Sequence, residues 1–205
     1  MKQALRAWYK RIDSYMISNQ VNRSNNKPTL YVKTNKEGQI LIVCLYVDDL
    51  IFTRNLSIDM FKSEMMKEFE MTDLGLTRYF LDIEVIQCDK GIFICQSRYI
   101  KDVLKRFKMM DSDLASTPIT TGTKLRKEEK GSNVEATIFK RIFGSLMYMI
   151  ATRLDIMYSV SFISIFIESP QNSHWQVGKR ILRYIVGTMG YGILYSITIF
   201  FGLIG

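Results

Sequence analysis

Along the first forty-odd residues the apolar positions change period. Leu5, Trp8, Ile12, Tyr15 and Met16 recur at helical spacing, with Lys2, Arg6, Lys10 and Arg11 largely elsewhere on the wheel, so an amphipathic helix is predicted. "NRSNNKP" predicts a loop, "TLYVKT" a strand and "NKEG" a turn. "QILIVCLYV" is a strong strand of branched and aromatic residues, "DD" interrupts it, and "LIFT" resumes it. A single strand through "DD" would send one aspartate to each face of a sheet. Burying bare charge costs several kcal/mol per ion, so the pattern predicts a hairpin with Asp48 and Asp49 at its tip. "SIDMFKSEMMKEFEM" predicts a helix with Ile58, Phe61, Met65 and Phe69 on one face and Ser57 as its cap. "TDLGLTRYFLDIEVIQCDKGIFICQ" predicts turn, strand, turn, strand. "SRYIKDVLKRF" predicts a helix with Ile100, Val103, Leu104 and Phe107 inward. "STPITTGTKLRKEEKGSNVEA" is long and largely polar and predicts a mobile linker. Three helical segments follow: "IFKRIFGSLMYMIAT", "LDIMYSVSFISIFIE" and "NSHWQVGKRILRYIVGT". The last turns Trp175, Ile181, Leu182 and Ile185 inward, and the aromatics and methionines of the first two read as core.

The fold class expected is therefore α+β: strands and helices to about residue 117, a polar linker over 118–137, a helical unit over 138–195, and an apolar tail over 196–205. The 22 residues from Tyr184 to Gly205 carry no charge, a length that could span a bilayer. "TMGYG" puts turn chemistry inside them, so a buried strand or a tail is expected there and no membrane partner. No secretory leader is read at the start, since Met1 precedes a polar, basic helix, and a cytoplasmic, unsecreted protein is expected.

Charge alters this picture. The net charge is +8, which favours an anionic partner. Residues 1–40 carry eight Lys/Arg against two acids, residues 41–90 five against ten, and residues 91–130 nine against five. An acidic centre between basic flanks fits a metal-binding or catalytic site in a cationic groove. The single histidine, His174, and three scattered cysteines, Cys44, Cys88 and Cys95, do not make a zinc site. Cys88 and Cys95 flank a hairpin and could face each other, but the expectation is three reduced thiols.

Adjacent aspartates supply oxygen ligands to a hard cation such as Mg²⁺. A lone "DD" is a weak signal. "LYVDDLIFT", with a long apolar strand before it and another after it, is a specific one. It resembles the catalytic hairpin of reverse transcriptases in the form used by copia-type long-terminal-repeat retrotransposons. The flanks agree: "KQALRAWYKRID" resembles that family's "KQ-P-RAWY" segment, "FLDIEVIQCDKGIFICQSRYIKDVLKRFKM" its post-catalytic hairpin, and "SHWQVGKRILRYIVGTMGYGILY" the thumb and connection.

The resemblance implies a partial polymerase palm over 1–117, an antiparallel sheet with helices on one face, with a helical thumb/connection over 138–195. It implies Asp48 and Asp49 as catalytic metal ligands for two Mg²⁺ ions, and Tyr46 and Val47 against the primer terminus. Gln3 and Arg6 would lie near the incoming nucleotide and template, with Lys179, Arg180 and Arg183 on the phosphates of the duplex. The implied partners are an RNA template, a DNA primer, deoxynucleoside triphosphates and other Pol segments, in the cytoplasm, a virus-like particle or the nucleus. Departures are equally plain. Leu5 stands in place of the family's proline, Arg54 in place of a glycine after the hairpin, and Asp82 in place of the glycine of "FLGIEV". The family's first catalytic aspartate, in a "DVKSAFLNG"-like segment, precedes the part matched here, and its ribonuclease H follows it. With two carboxylates only, weak Mg²⁺ binding is expected, and the expected role is a polymerase fragment inactive by itself or a non-catalytic relic that binds nucleic acid.

Overall fold

The computed structural model describes residues 2–53, 58–127 and 134–196. Among these, the chain is mixed α and β, with six α-helices and two four-stranded antiparallel sheets. It forms two compact units, Met1–Thr77 and Arg78–Gly205. The division falls at 77/78, upstream of residue 117, because β8 (Gly192–Ser196) returns to pair with β7 (Gly91–Cys95). That pairing places the hairpin after residue 78 in one unit with the C-terminal helices.

In the first unit, α1 (Lys2–Ser18) and α2 (Ile58–Phe69) pack with the sheet β1–β2–β3–β4, formed by Asn22–Arg23, Leu30–Thr34, Ile40–Tyr46 and Asp49–Phe52. Alternation in β3 decides which face they cover. Leu41, Val43 and Leu45 are buried with Ile12 and Met16 of α1 and Met65 of α2, each such side chain contributing about 1.5–3 kcal/mol. Ile40, Ile42 and Tyr46 face the other way and stay exposed. Asp13 of α1 holds β1 and β2: it accepts from the Tyr31 hydroxyl at 2.7 Å and pairs with Arg23. Burial and hydrogen bonds to Tyr9 and Asp13 push the Tyr31 phenol far up. β1 lies where "NRSNNKP" predicted only loop, and the Ser57 cap lies outside the described residues.

In the second unit, the core is α-helical. Ile100, Val103 and Leu104 of α3 (Ser97–Arg106) pack with Phe139, Ile142 and Leu146 of α4 (Ala136–Met149). Val160 and Ile163 of α5 (Met157–Ser164) and Ile181, Leu182 and Ile185 of α6 (Asn172–Gly187) complete it. The segment expected as one helix from Leu154 is a 3₁₀ turn, Leu154–Ile156, followed by the short α5. Its aromatics are not all core: Tyr158 is 72% exposed and stacks on Phe162, the ring planes 5° apart and the centroids 6.2 Å apart.

The second sheet orders β5 (Tyr79–Phe80), β6 (Ile83–Cys88), β7 and β8. The strand predicted through "YFLDIEV" is broken by a two-residue turn, Leu81–Asp82, with φ of +48° and +56°. The register sets Cys88 opposite Gly91 and Cys95 opposite Glu84, so the two cysteines do not face each other, and all three thiols are free. β8 is a strand as expected in the uncharged C-terminal stretch, but an exposed one. Residues 197–205 lie outside the described residues. Among the described residues no helix is long and apolar enough to cross a membrane.

The polar stretch after Pro118 is tied down as far as Lys127. Ile119 and Leu125 pack on the helical core. The buried His174 contacts the Arg126 carbonyl at 3.0 Å through Nε2 and accepts the Gln171 N–H at Nδ1. The Gln171 side chain donates to the Lys127 carbonyl. Ile119 and Leu125 give this stretch a core to pack on, which its overall polarity concealed.

Candidate functional site

The β3–β4 hairpin is built by its register. Val43 pairs with Phe52, Cys44 with Ile51, Leu45 with Leu50 and Tyr46 with Asp49. Val47 and Asp48 make a two-residue turn. Two-residue hairpin turns need a positive φ at their first central residue, and glycine, asparagine or aspartate normally supplies it. Here Val47 does, with φ +55°. A β-branched residue in that conformation costs on the order of 1–3 kcal/mol. The surrounding pairing must offset that cost for the conformation to persist.

Asp48 occupies the turn and Asp49 opens β4, and both are exposed. Directly opposed residues of antiparallel strands share a face. Asp49 therefore projects on the Tyr46 side of the sheet, away from the Leu45–Leu50 pair that faces the helices. Tyr46 is 46% exposed and Val47 52% exposed. The flanking positions on the same face, Leu30, Val32, Ile42, Cys44 and Ile51, are apolar. Two carboxylates thus stand at the end of an open apolar sheet face, free to meet solvent, a cation or a substrate.

Carboxylate oxygens are what a hard divalent cation takes, and Mg²⁺ wants six oxygens in a near-ideal octahedron. Asp48 and Asp49 fit as part of such a set. Among the described residues no group of three His, Cys, Asp or Glu side chains is placed to hold a metal. Further oxygens must then come from water, substrate phosphates or another carboxylate.

The structure brings Tyr46, Val47, Asp48 and Asp49 together. Arg6 is an exposed residue of α1; Gln3 stands in the first turn of α1, and its side chain lies outside the described residues. Lys179, Arg180 and Arg183 belong to α6 of the second unit, where all three are half-buried. The Lys179 ammonium lies 5.4 Å from the centre of the Trp175 ring. Arg180 Nη2 donates to Thr117 Oγ1 at 3.1 Å.

Two constellations escaped sequence reading. Arg153, fully buried, donates from Nε and Nη2 to Asp155 and from Nη1 and Nη2 to Thr188. Its guanidinium lies 5.7 and 5.5 Å from the ring centres of Tyr184 and Tyr191. Burial pushes the Asp155 carboxyl up, but hydrogen bonds and charge from Arg153, with help from Tyr184, outweigh it and hold the group below its ordinary value. The other is the Thr117–Arg180 contact, which joins residues 63 positions apart. No periodicity signals either one.

Residues 1–121 match the family model described as reverse transcriptase (RNA-dependent DNA polymerase). The chain is similar to the retrovirus-related Pol polyprotein from transposon TNT 1-94 of Nicotiana tabacum, 36% identical over 202 residues, which cover 93% of this chain and 15% of that protein. It is similar, too, to the Pol polyproteins from transposons RE2 and RE1 of Arabidopsis thaliana, 31% and 33% identical over 195 residues, 94% of this chain and 13% of each of theirs. The chain thus spans about a seventh of the length of these relatives. No solved structure matches it.

Proposed function

Since the chain belongs to the reverse transcriptase family, as a domain of copia-type retrotransposon Pol, we propose that its first unit is the part of a polymerase palm that presents the primer terminus to a metal site. The observation that supports this reading most is the β3–β4 tip: two exposed carboxylates on a turn that keeps a valine at φ +55°.

In this reading Asp48 and Asp49 hold divalent cations, Mg²⁺ by the chemistry of the donor set. Bound there, the cations would supply Lewis-acid activation of the attacking hydroxyl and charge neutralisation at the leaving pyrophosphate. The protein's share is positional. Val47 fixes the direction of the tip, and Tyr46 lays an aromatic face beside Asp49 for the primer-terminal nucleotide. Arg6 of α1, with Gln3 in the same helix, serves the template and the incoming nucleotide. The open apolar sheet face excludes water from beneath the terminus. The second unit acts as thumb and connection, with Lys179, Arg180 and Arg183 on duplex phosphates, a contact whose affinity falls with salt. The partners are an RNA template, a DNA primer, deoxynucleoside triphosphates and other Pol segments, among which a further carboxylate completes the metal site. The setting is cytoplasmic, in a virus-like particle, or nuclear. Binding of the cation by the pair alone is weak, so the chain by itself turns over poorly.

The test uses Mn²⁺ as a paramagnetic probe. It broadens the amide signals of Tyr46 and Val47, and Asp48→Asn or Asp49→Asn weakens the effect at least tenfold, as loss of a ligand should exceed the 10–100-fold cost of losing an outer partner. Primer extension by a polyprotein carrying Asp48→Asn falls by more than about a hundredfold on the same reasoning. Unchanged broadening together with undiminished extension would overturn the assignment.

A further inference from the structure

The backbone between α3 and α4 crosses α6. The Ala115 N–H donates to the Arg183 carbonyl at 3.5 Å, and Leu114 lies over Gly187. Thr117 is exposed on this crossing, in irregular backbone, and Pro118 follows it. Its hydroxyl oxygen accepts the Arg180 guanidinium at 3.1 Å. Arg180 and Arg183, three apart on one helix face, each keep a buried Nε–H with no acceptor. The Arg180 guanidinium, with a donor to spare beside an exposed hydroxyl, makes a receptor for a doubly charged oxyanion, which takes forked hydrogen bonds from arginine.

We propose that Thr117 is a phosphorylation site for a proline-directed serine/threonine kinase, and that phosphothreonine 117 engages Arg180 and withdraws it from nucleic acid. The regulatory half of this rests on the proposed role of α6 in phosphate contact. In the transfer, Thr117 Oγ1 attacks the γ-phosphorus of ATP. The Oγ1–P bond forms as the bond from the γ-phosphorus to the β–γ bridging oxygen breaks. ADP leaves with that electron pair, and the hydroxyl proton passes to the kinase's base. The other Ser/Thr–Pro step, Ser169–Pro170, offers a contrast: Pro170 is buried, its carbonyl accepts the Val134 N–H, and Gln171 and His174 cap α6 immediately after it. That rigid junction resists the extended conformation a kinase cleft requires.

The experiment treats the full chain with a proline-directed kinase and ATP and maps the phosphate by mass spectrometry. Phosphate is expected at Thr117, lost in Thr117→Val and kept in Ser169→Ala; phosphate elsewhere only, or none, overturns the proposal. A ³¹P titration then reads engagement without nucleic acid. The second ionisation of the phosphothreonine falls below its ordinary value of about 6 and returns toward it in Arg180→Gln. Arg180→Lys, which keeps the charge and loses the fork, recovers part of the shift. Identical profiles in all three overturn the pairing with Arg180. Finally, phosphorylation lowers affinity for an RNA–DNA hybrid about tenfold at low salt and reduces the salt slope by about one. An unchanged affinity overturns the regulatory half. If the unphosphorylated chain binds no hybrid, the reading of α6 fails, while the mass and ³¹P results still decide the modification.

Discussion

Replacing Arg153 by methionine tests how the second unit holds the end of α6. The side chain is fully buried and makes two bonds to Asp155, at 2.9 and 2.7 Å, and two to Thr188, at 2.9 and 2.6 Å. Methionine keeps most of the volume but leaves a carboxylate, a carbonyl and a hydroxyl without their donor. Breaking a buried ion pair from one side costs about 3–5 kcal/mol. Asp155 keeps 32% side-chain exposure, so water relieves part of its loss and the lower end, about 3 kcal/mol, applies. With a urea slope of about 2 kcal/mol per molar, the midpoint falls by about 1.5 M. Trp175 lies in the second unit and Trp8 in the first, so fluorescence in a Trp8→Phe background reports this unit alone. pH supplies a second check. The folded carboxyl lies below its unfolded value, so the stabilisation is fully present above about pH 4 and is lost as pH falls through the depressed folded value. The Arg153→Met deficit must therefore shrink below about pH 4. The double variant Arg153→Met, Asp155→Leu should recover much of the loss, because an apolar pair strands no charge. A midpoint shift below about 0.3 M, or a deficit indifferent to pH, would refute the reasoning.

Gly192→Ala drives a Cβ into the Ile94 carbonyl oxygen and the Phe93 ring, so β8 should detach; hydrogen exchange of its amides rises at least tenfold while α6 stays protected. Asp82→Gly suits the φ of +56° at that position and loses the Tyr79 hydroxyl bond. The net gain is about 0.5 kcal/mol in stability, and the Tyr79 phenol, held above its usual value chiefly by that bond, titrates closer to about 10. Val47→Asn relieves the strained turn and raises the urea midpoint of the first unit by an amount equivalent to about 1 kcal/mol. The same change should lower primer extension by a polyprotein that carries it, since the direction of Asp48 and Asp49 depends on that turn.

The elements with a strong period were legible before the fold was known. β3 alternates strictly between buried and exposed residues, and the interruption at "DD" could be accommodated only by a tip, where the structure places it. The helices around Ile12, Met65, Ile100 and Ile181 announced their buried faces in the same way. What escaped was everything that depends on a distant partner. β1 is two polar residues that become a strand because Asp13 and β2 hold them. β8 is a strand because two glycines, Gly91 and Gly192, let its backbone approach β7. Arg153 and His174 are buried through Asp155, Thr188 and the Arg126 carbonyl, contacts that no local pattern announces. The candidate site divides along the same line. The carboxylate pair lies within one hairpin, so local sequence suffices to find it. The valine at φ +55° could not be read, because its conformation opposes its own preference and is imposed by the pairing of Tyr46 with Asp49. That opposition supports the role proposed for the tip: glycine or asparagine would suit this turn better than the valine it keeps.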